Sequence, residues 1–300
     1  MEISTDTFYL RQYLGEEGAV RAIAEAGFDC VDFSMDHMIE EDCPLNANNY
    51  KEFAKHLREV ADELGVRFNQ GHAPFAFKWK EEGIYALAVE RTIRSIEIAS
   101  ILGIDTLVVH PLHHKPNITC MEEIWSDNLA FYNELLPYAR EYDVRIAIEN
   151  MFHVDKRGVA TYGVCSDPQR FAKAVDALHD PHIVACADVG HVHLLGEKPD
   201  ELIRVLGHDR LHALHVHDNC TVLDDHTLPY FGNMDWEPVC RALAEIDYDG
   251  VFTFEASQFY KHFPADFLPT AVHWACDMGR YLTAKIDSYR EKSDDGKFRI

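Results

Sequence analysis

One pattern constrains this chain more than any other: an apolar run rich in β-branched residues, followed by a stretch of helical periodicity, repeated eight times. The runs end near Ser4, Met35, His72, His110, Glu149, Asp188, His215 and Glu255. Each is short and bounded by Gly, Pro, Asn or Asp, which predicts strands. Between them lie amphipathic stretches such as Tyr50 to Leu64, Tyr85 to Leu102, Asn128 to Tyr142 and Pro168 to Leu178. Gly65 and Gly103 are placed to stop the first two as helices. Strict β-α alternation demands a parallel sheet, because each crossover needs a helix to carry the chain back. Eight units predict an α/β chain closed into a (β/α)8 barrel. No Gly-x-Gly-x-x-Gly follows the first run, which removes the main support for an open dinucleotide-binding sheet. We expect a single domain over residues 1–290, a long last helix from Leu268 to Tyr289, and a frayed tail over 291–300.

Six of the eight runs close on a residue able to ligate a cation: His72, His110, Glu149, Asp188, His215 and Glu255. They are spaced 38, 39, 39, 27 and 40 residues apart. In a barrel these ends meet at one mouth, where the loops build the active site. Singly, a His after an apolar strand reads as a hydrogen-bonded core residue. Jointly, three carboxylates buried at one mouth would repel one another without a cation among them. Imidazole and carboxylate donors without Cys suit Mn²⁺, Zn²⁺, Co²⁺ or Mg²⁺, and do not suit a purely structural zinc. Loops add His191, three residues past Asp188, and the run His215-Val-His-Asp218-Asn219 leading to Asp224-Asp225-His226. Asp218 and Asn219 read as groups that orient ligand imidazoles. Trp236 reads as an apolar anchor for the helix that follows it.

Charge narrows the ligand. With 51 acidic and 28 basic residues the formal charge is −23, which opposes binding of phosphodiester backbones. Lys78, Lys80, Lys115 and Arg157 are the cations that the pattern places near the mouth, too few to grip a duplex. The lysines read as solvated loop residues, so the expected substrate is non-phosphorylated or weakly charged. Eight cysteines, at 30, 43, 120, 165, 186, 220, 240 and 276, form no Cys-x-x-Cys pair. They read as reduced thiols, with Cys30 and Cys186 packed as small hydrophobes. No apolar run is long enough to cross a bilayer. Met1 leads straight into a strand-like Glu2-Ile3-Ser4, so the expected location is the cytoplasm.

From Phe28 to about Leu282 the chain resembles the xylose-isomerase-like barrels, which include sugar phosphate isomerases and epimerases and the apurinic endonuclease family. The resemblance rests on Gln70-Gly-His72-Ala-Pro74, Val108-Val-His110-Pro111, Ile148-Glu149-Asn150 and Ala187-Asp188-Val-Gly-His191. It continues in His215-Val-His-Asp218-Asn219, Asp224-x-His226 and Phe254-Glu255. It implies that Glu149, Asp188, His215 and Glu255 hold one divalent metal, with Mn²⁺ first among the candidates. It also implies that Glu149 and Glu255 exchange protons with a small carbohydrate by way of an enediolate, while His191 holds a substrate oxygen. Homo-oligomers are common in the family, so self-association is expected by resemblance.

Two departures stand out. Where ketose 3-epimerases carry an Arg after the His of the seventh strand, this chain has Cys220-Thr221-Val222-Leu223. Tyr230 replaces one of two glycines before Asp235-Trp236 and is expected to shape the pocket. The endonuclease branch uses nine ligands for three zinc ions. His72, His110, Glu149, Asp188, His191, His215, Asp224, His226 and Glu255 match all nine in type. His72, His110, His191, Asp224 and His226 are therefore candidates for further metal or for substrate binding. An isomerase or epimerase is the first expectation, and a multinuclear-zinc phosphodiesterase is the alternative. A sugar-binding barrel without turnover is the third.

Overall fold

A computed structural model describes residues 1–75, 84–112 and 121–294. Among the described residues there are ten strands. They are β1 (Ile3–Asp6), β2 (Cys30–Ser34), β3 (Arg67–His72), β4 (Thr106–Val109) and β5 (Arg145–Glu149), then β6 (Phe152–Val154), β7 (Ala160–Tyr162), β8 (Ile183–Asp188), β9 (Leu211–His215) and β10 (Phe252–Phe254). Eight of them form one parallel sheet in the order β10-β1-β2-β3-β4-β5-β8-β9. The two edges approach through a parallel bridge between Val216 and Phe254. There the Val216 N–H donates to Thr253 O at 2.9 Å and the Glu255 N–H to Val216 O at 3.2 Å. The sheet is a nearly closed (β/α)8 barrel in a single domain, as the alternation requires.

The remaining strands, β6 and β7, pair as an antiparallel hairpin immediately after β5, and the periodicity did not predict them. Helices return the chain over the outside of the barrel. Tyr50–Leu64 ends at Gly65, whose φ of 72° is the left-handed cap that a side chain resists. Met121–Tyr142 starts seven residues before the expected Asn128, with Glu122 and Glu123 in the first turn facing the positive helix end. The last helix runs from Leu268 to Asp294, beyond the expected Tyr289.

Most apolar residues pack between strands and helices, including Ile3, Val31, Phe68, Ile148 and Phe254. Inside the barrel, a second small cluster of Val108, Ala147, Val184, Cys186 and Ala213 lies under β4, β5, β8 and β9. On the other side the lumen is polar. The Ser4 hydroxyl donates to Thr253 Oγ1 at 2.8 Å, and Asn69 Nδ2 donates to the same oxygen at 3.1 Å. This divided floor carries the site. The seven described cysteines are all free, and Cys30 and Cys186 are buried. Lys78, Lys80, Lys115 and Cys120 lie outside the described residues. Among the described residues, no helix is long and apolar enough to cross a membrane.

Candidate metal centre

The strand ends converge as parallel packing dictates. Glu149, at the end of β5 and fully buried, is the hub. Its Oε1 lies 3.0 Å from His215 Nδ1, and its Oε2 lies 2.5 Å from His110 Nε2. His72 Nε2 is 3.1 Å from His110 Nε2 and 4.0 Å from Glu255 Oε1. Glu255, following β10, brings Oε2 to 3.3 Å from His215 Nδ1. Asp188 caps the short helix Val189–Leu194 by accepting the His191 N–H at 2.7 Å, and its other oxygen faces His191 Nδ1 at 3.6 Å. Asp224 and His226 close the ring, 2.8 Å apart, with Asp224 Oδ2 also 3.5 Å from His191 Nε2.

All nine candidates therefore stand at one mouth. Within it, donor atoms less than 4.8 Å apart define overlapping groups: Glu149, Asp188, His215 and Glu255; His72, His110 and Glu149; His72, His215 and Glu255; and His191, His217, Asp224 and His226. The donor set suits a divalent cation. His215 Nε2, His217 Nδ1, Asp224 Oδ1 and Glu255 Oε2 are buried and take part in no hydrogen bond, an arrangement that is unfavourable without a further partner.

Charge is uneven across the cluster. Burial opposes the ionised form of Glu149, but the imidazoles of His110 and His215 outweigh it and hold the carboxyl well below its ordinary range. Glu255 goes the other way: burial, then the charges of Glu149 and Asp188, push it well above. Burial also opposes a charge on His215, yet Glu149 raises the imidazolium to about 9. His72 falls to about 3, through burial and then the neighbouring His110 and His215. Two neighbouring carboxyls with opposite shifts form the kind of pair that separates acid from base roles.

Three residues at the mouth were missed in the sequence. His217, fully buried, brings Nε2 to 3.1 Å from the Asp188 carboxylate and stacks on His226 with centroids 4.0 Å apart. Its signal was present, since residues two apart on a strand share a face and His215 is already turned inward. Asp32, in the middle of β2, accepts from Gln70 Nε2 at 2.9 Å and faces His215 Nε2 at 3.8 Å. This leaves His215 Nδ1 as the nitrogen turned to the carboxylates, with Asp32 behind the ring. Asp6 ends β1, and burial followed by the charge of Asp32 pushes its carboxyl up to about 7.

Three expectations need correction. Asp218 orients no imidazole. It accepts the N–H groups of Asn219 (2.8 Å), Tyr230 (3.0 Å) and Met234 (3.2 Å) and the Trp236 indole N–H (2.9 Å), so it organises its own loop. Trp236 is thus a polar tether as well as an apolar anchor. Tyr230 is half exposed with its ring against Tyr281, and it shapes a surface hollow with Trp274 and Met278. Arg157 sits in the β6–β7 turn, 2.6 Å from Asp155.

The chain belongs to the xylose isomerase-like TIM barrel family, whose pattern matches residues 20–274. An uncharacterized protein of Methanocaldococcus jannaschii is 30% identical over 208 residues, covering 67% of this chain and 68% of the relative. Among solved structures, a D-tagatose 3-epimerase-like protein superposes with a TM-score of 0.74 at 23% identity, covering 98% of this chain and 100% of its own. The IolI protein, with a bound zinc atom, superposes with a TM-score of 0.75 at 18% identity, covering 95% and 99%.

Proposed function

We propose that the protein is a divalent-metal-dependent isomerase or epimerase of a small carbohydrate, with Glu149 and Glu255 as its two proton-transfer groups. The observation that carries this reading is the approach of both glutamates to His215 Nδ1, at 3.0 and 3.3 Å, from strands on opposite sides of β9. The group Glu149, Asp188, His215 and Glu255 would hold the cation, Mn²⁺ in the first instance, with Zn²⁺, Co²⁺ or Mg²⁺ suited to the same donors. When bound, such an ion polarises a carbonyl and its neighbouring hydroxyl and so acidifies the carbon-bound proton between them. One glutamate takes that proton, leaving an enediolate, and the other returns a proton to the opposite face. The His191 N–H and His217 hold Asp188 in place, and His110 keeps Glu149 turned inward. The epimerase neighbours and the zinc of the IolI protein agree with this chemistry, and the free thiols agree with a cytoplasmic setting.

The second reading, a multinuclear-zinc phosphodiesterase, is favoured by one observation: the separate His191, His217, Asp224 and His226 group beside the Glu149 groups. The charge of −23 ranks it second. Protein purified without chelator tests both. Deuterium from solvent entering a ketose carbon, lost with chelator, supports the isomerase. Three zinc ions per chain with nicking of abasic DNA would overturn it.

A further inference from the structure

Strands β1 and β2 contribute nothing to the four-residue cation group, yet Asp6 at the end of β1 and Asp32 in the middle of β2 are two of the most confined carboxylates at the mouth. A cavity of about 150 Å³ opens between Asp6, Asp32 and Ser34 on one side and His72, His226 and Glu255 on the other. At ~30 Å³ per water, that volume equals about five waters, enough for a short polyol segment. Its described lining contains no Lys or Arg. Asp36, at its edge, is already committed to Arg11 at 3.0 Å and to the Ser34 hydroxyl at 2.5 Å.

Asp6 and Asp32 are not so committed. They are 3% and 1% exposed. Asp6 Oδ1 accepts the Phe8 N–H at 2.9 Å, and Asp32 Oδ2 accepts from Gln70 at 2.9 Å. Asp6 Oδ2 and Asp32 Oδ1 are buried and accept nothing. Both residues line the cavity, so whatever fills it meets two buried carboxyl oxygens that have no hydrogen-bond partner, and a hydroxyl can donate to or accept from either.

On the sugar reading above, we propose that Asp6 and Asp32 form the subsite for the substrate end remote from the reacting carbons. That end carries hydroxyl groups and no phosphate or carboxylate. A hydroxyl supplies the missing donor. A phosphate supplies only acceptors at neutral pH and sets like charges together in a confined space. Because Glu255 and His72 belong to both the cavity wall and the cation groups, one short chain reaches from the cluster to Asp6.

Isothermal titration of the metal-replete protein with D-fructose, D-psicose, D-tagatose, D-sorbose and their four 6-phosphates tests this, with metal content measured in every sample. The best ligand is expected to be unphosphorylated and to bind about tenfold or more tighter than its own 6-phosphate. Asp6→Asn should weaken that ligand about tenfold, the usual scale for one charge-assisted hydrogen bond, and narrow the gap without loss of metal. A 6-phosphate that binds wild type as well as its parent sugar overturns the subsite and leaves the sugar reading standing. So does an Asp6→Asn protein with unaltered affinity. If Asp6→Asn does not fold, the wild-type pairs decide alone. Failure of all eight compounds to bind metal-replete wild type removes the sugar reading, and the subsite falls with it.

Discussion

Gly190 lies flat against the imidazole of His217, and a Cβ built on it would overlap the ring. His217 in turn holds the Asp188 carboxylate at 3.1 Å. Gly190 is therefore a spacing requirement of the centre, not only a loop residue. Gly190→Ala should push His217 off Asp188 and weaken cation binding about 10–100-fold, the range for losing a group that orients a ligand. His217→Ala should give a similar loss without the overlap. Competition with a chromophoric chelator measures both, and unchanged affinity in both variants would exclude this role for His217.

Removing the cation should destabilise the barrel. Glu149, Asp188 and Glu255 present oxygens within 4.8 Å of one another and of His215. A ligand held at 1,000 times its dissociation constant contributes about 4 kcal/mol of stability. Calorimetric scans with and without chelator should show a lower melting temperature for the stripped protein, restored by adding Mn²⁺ or Zn²⁺. Identical scans would mean that the cluster holds no ion in solution.

The barrel was readable because each of its strands is a short apolar run stopped by a polar residue, and the helices between keep their period. The cation groups were readable for the same reason, since six of their members are those stops or stand beside them. What escaped was non-local or brief. Asp6 lies two residues past Ser4, where the first apolar run ends in the sequence, while β1 continues to Asp6. Asp32 sits between Val31 and Phe33, where an acid in an apolar strand gives no hint of its bond to Gln70 from β3. The β6–β7 hairpin has strands of three residues, too short for any periodicity. Asp218 reaches N–H groups 12 and 16 residues ahead, a fold-back that spacing alone does not encode.

On the function proposed above, two proton-transfer groups on different strands should fail separately. Glu149→Gln and Glu255→Gln should each lower net epimerisation by at least 10²-fold, the lower range for losing a general base. Each should still exchange the substrate proton on the face it does not serve. Solvent deuterium would then enter one epimer with Glu149→Gln and the other with Glu255→Gln, followed by proton NMR. Equal loss on both epimers in both variants would mean that the glutamates only hold the cation.

Away from the centre, His37 offers a pH test that needs no metal. It is 6% exposed, with Nε2 2.9 Å from Glu16 Oε1 and Nδ1 3.8 Å from Asp36 Oδ1. Burial opposes its charge, but the neighbouring Asp36, Cys43 and Glu16 side chains outweigh this and raise it from 6.5 to about 11. A raised folded value means that the imidazolium's contribution is complete below pH 6.5, declines above it, and is gone once the pH passes about 11. His37→Gln should therefore cost about 3 kcal/mol at pH 6, as expected for breaking a buried ion pair from one side. The gap from wild type should shrink steadily as the pH rises. Urea unfolding of both proteins at pH 6 and pH 9.5 measures it, and a gap that does not change with pH would show that the ring is neutral when folded.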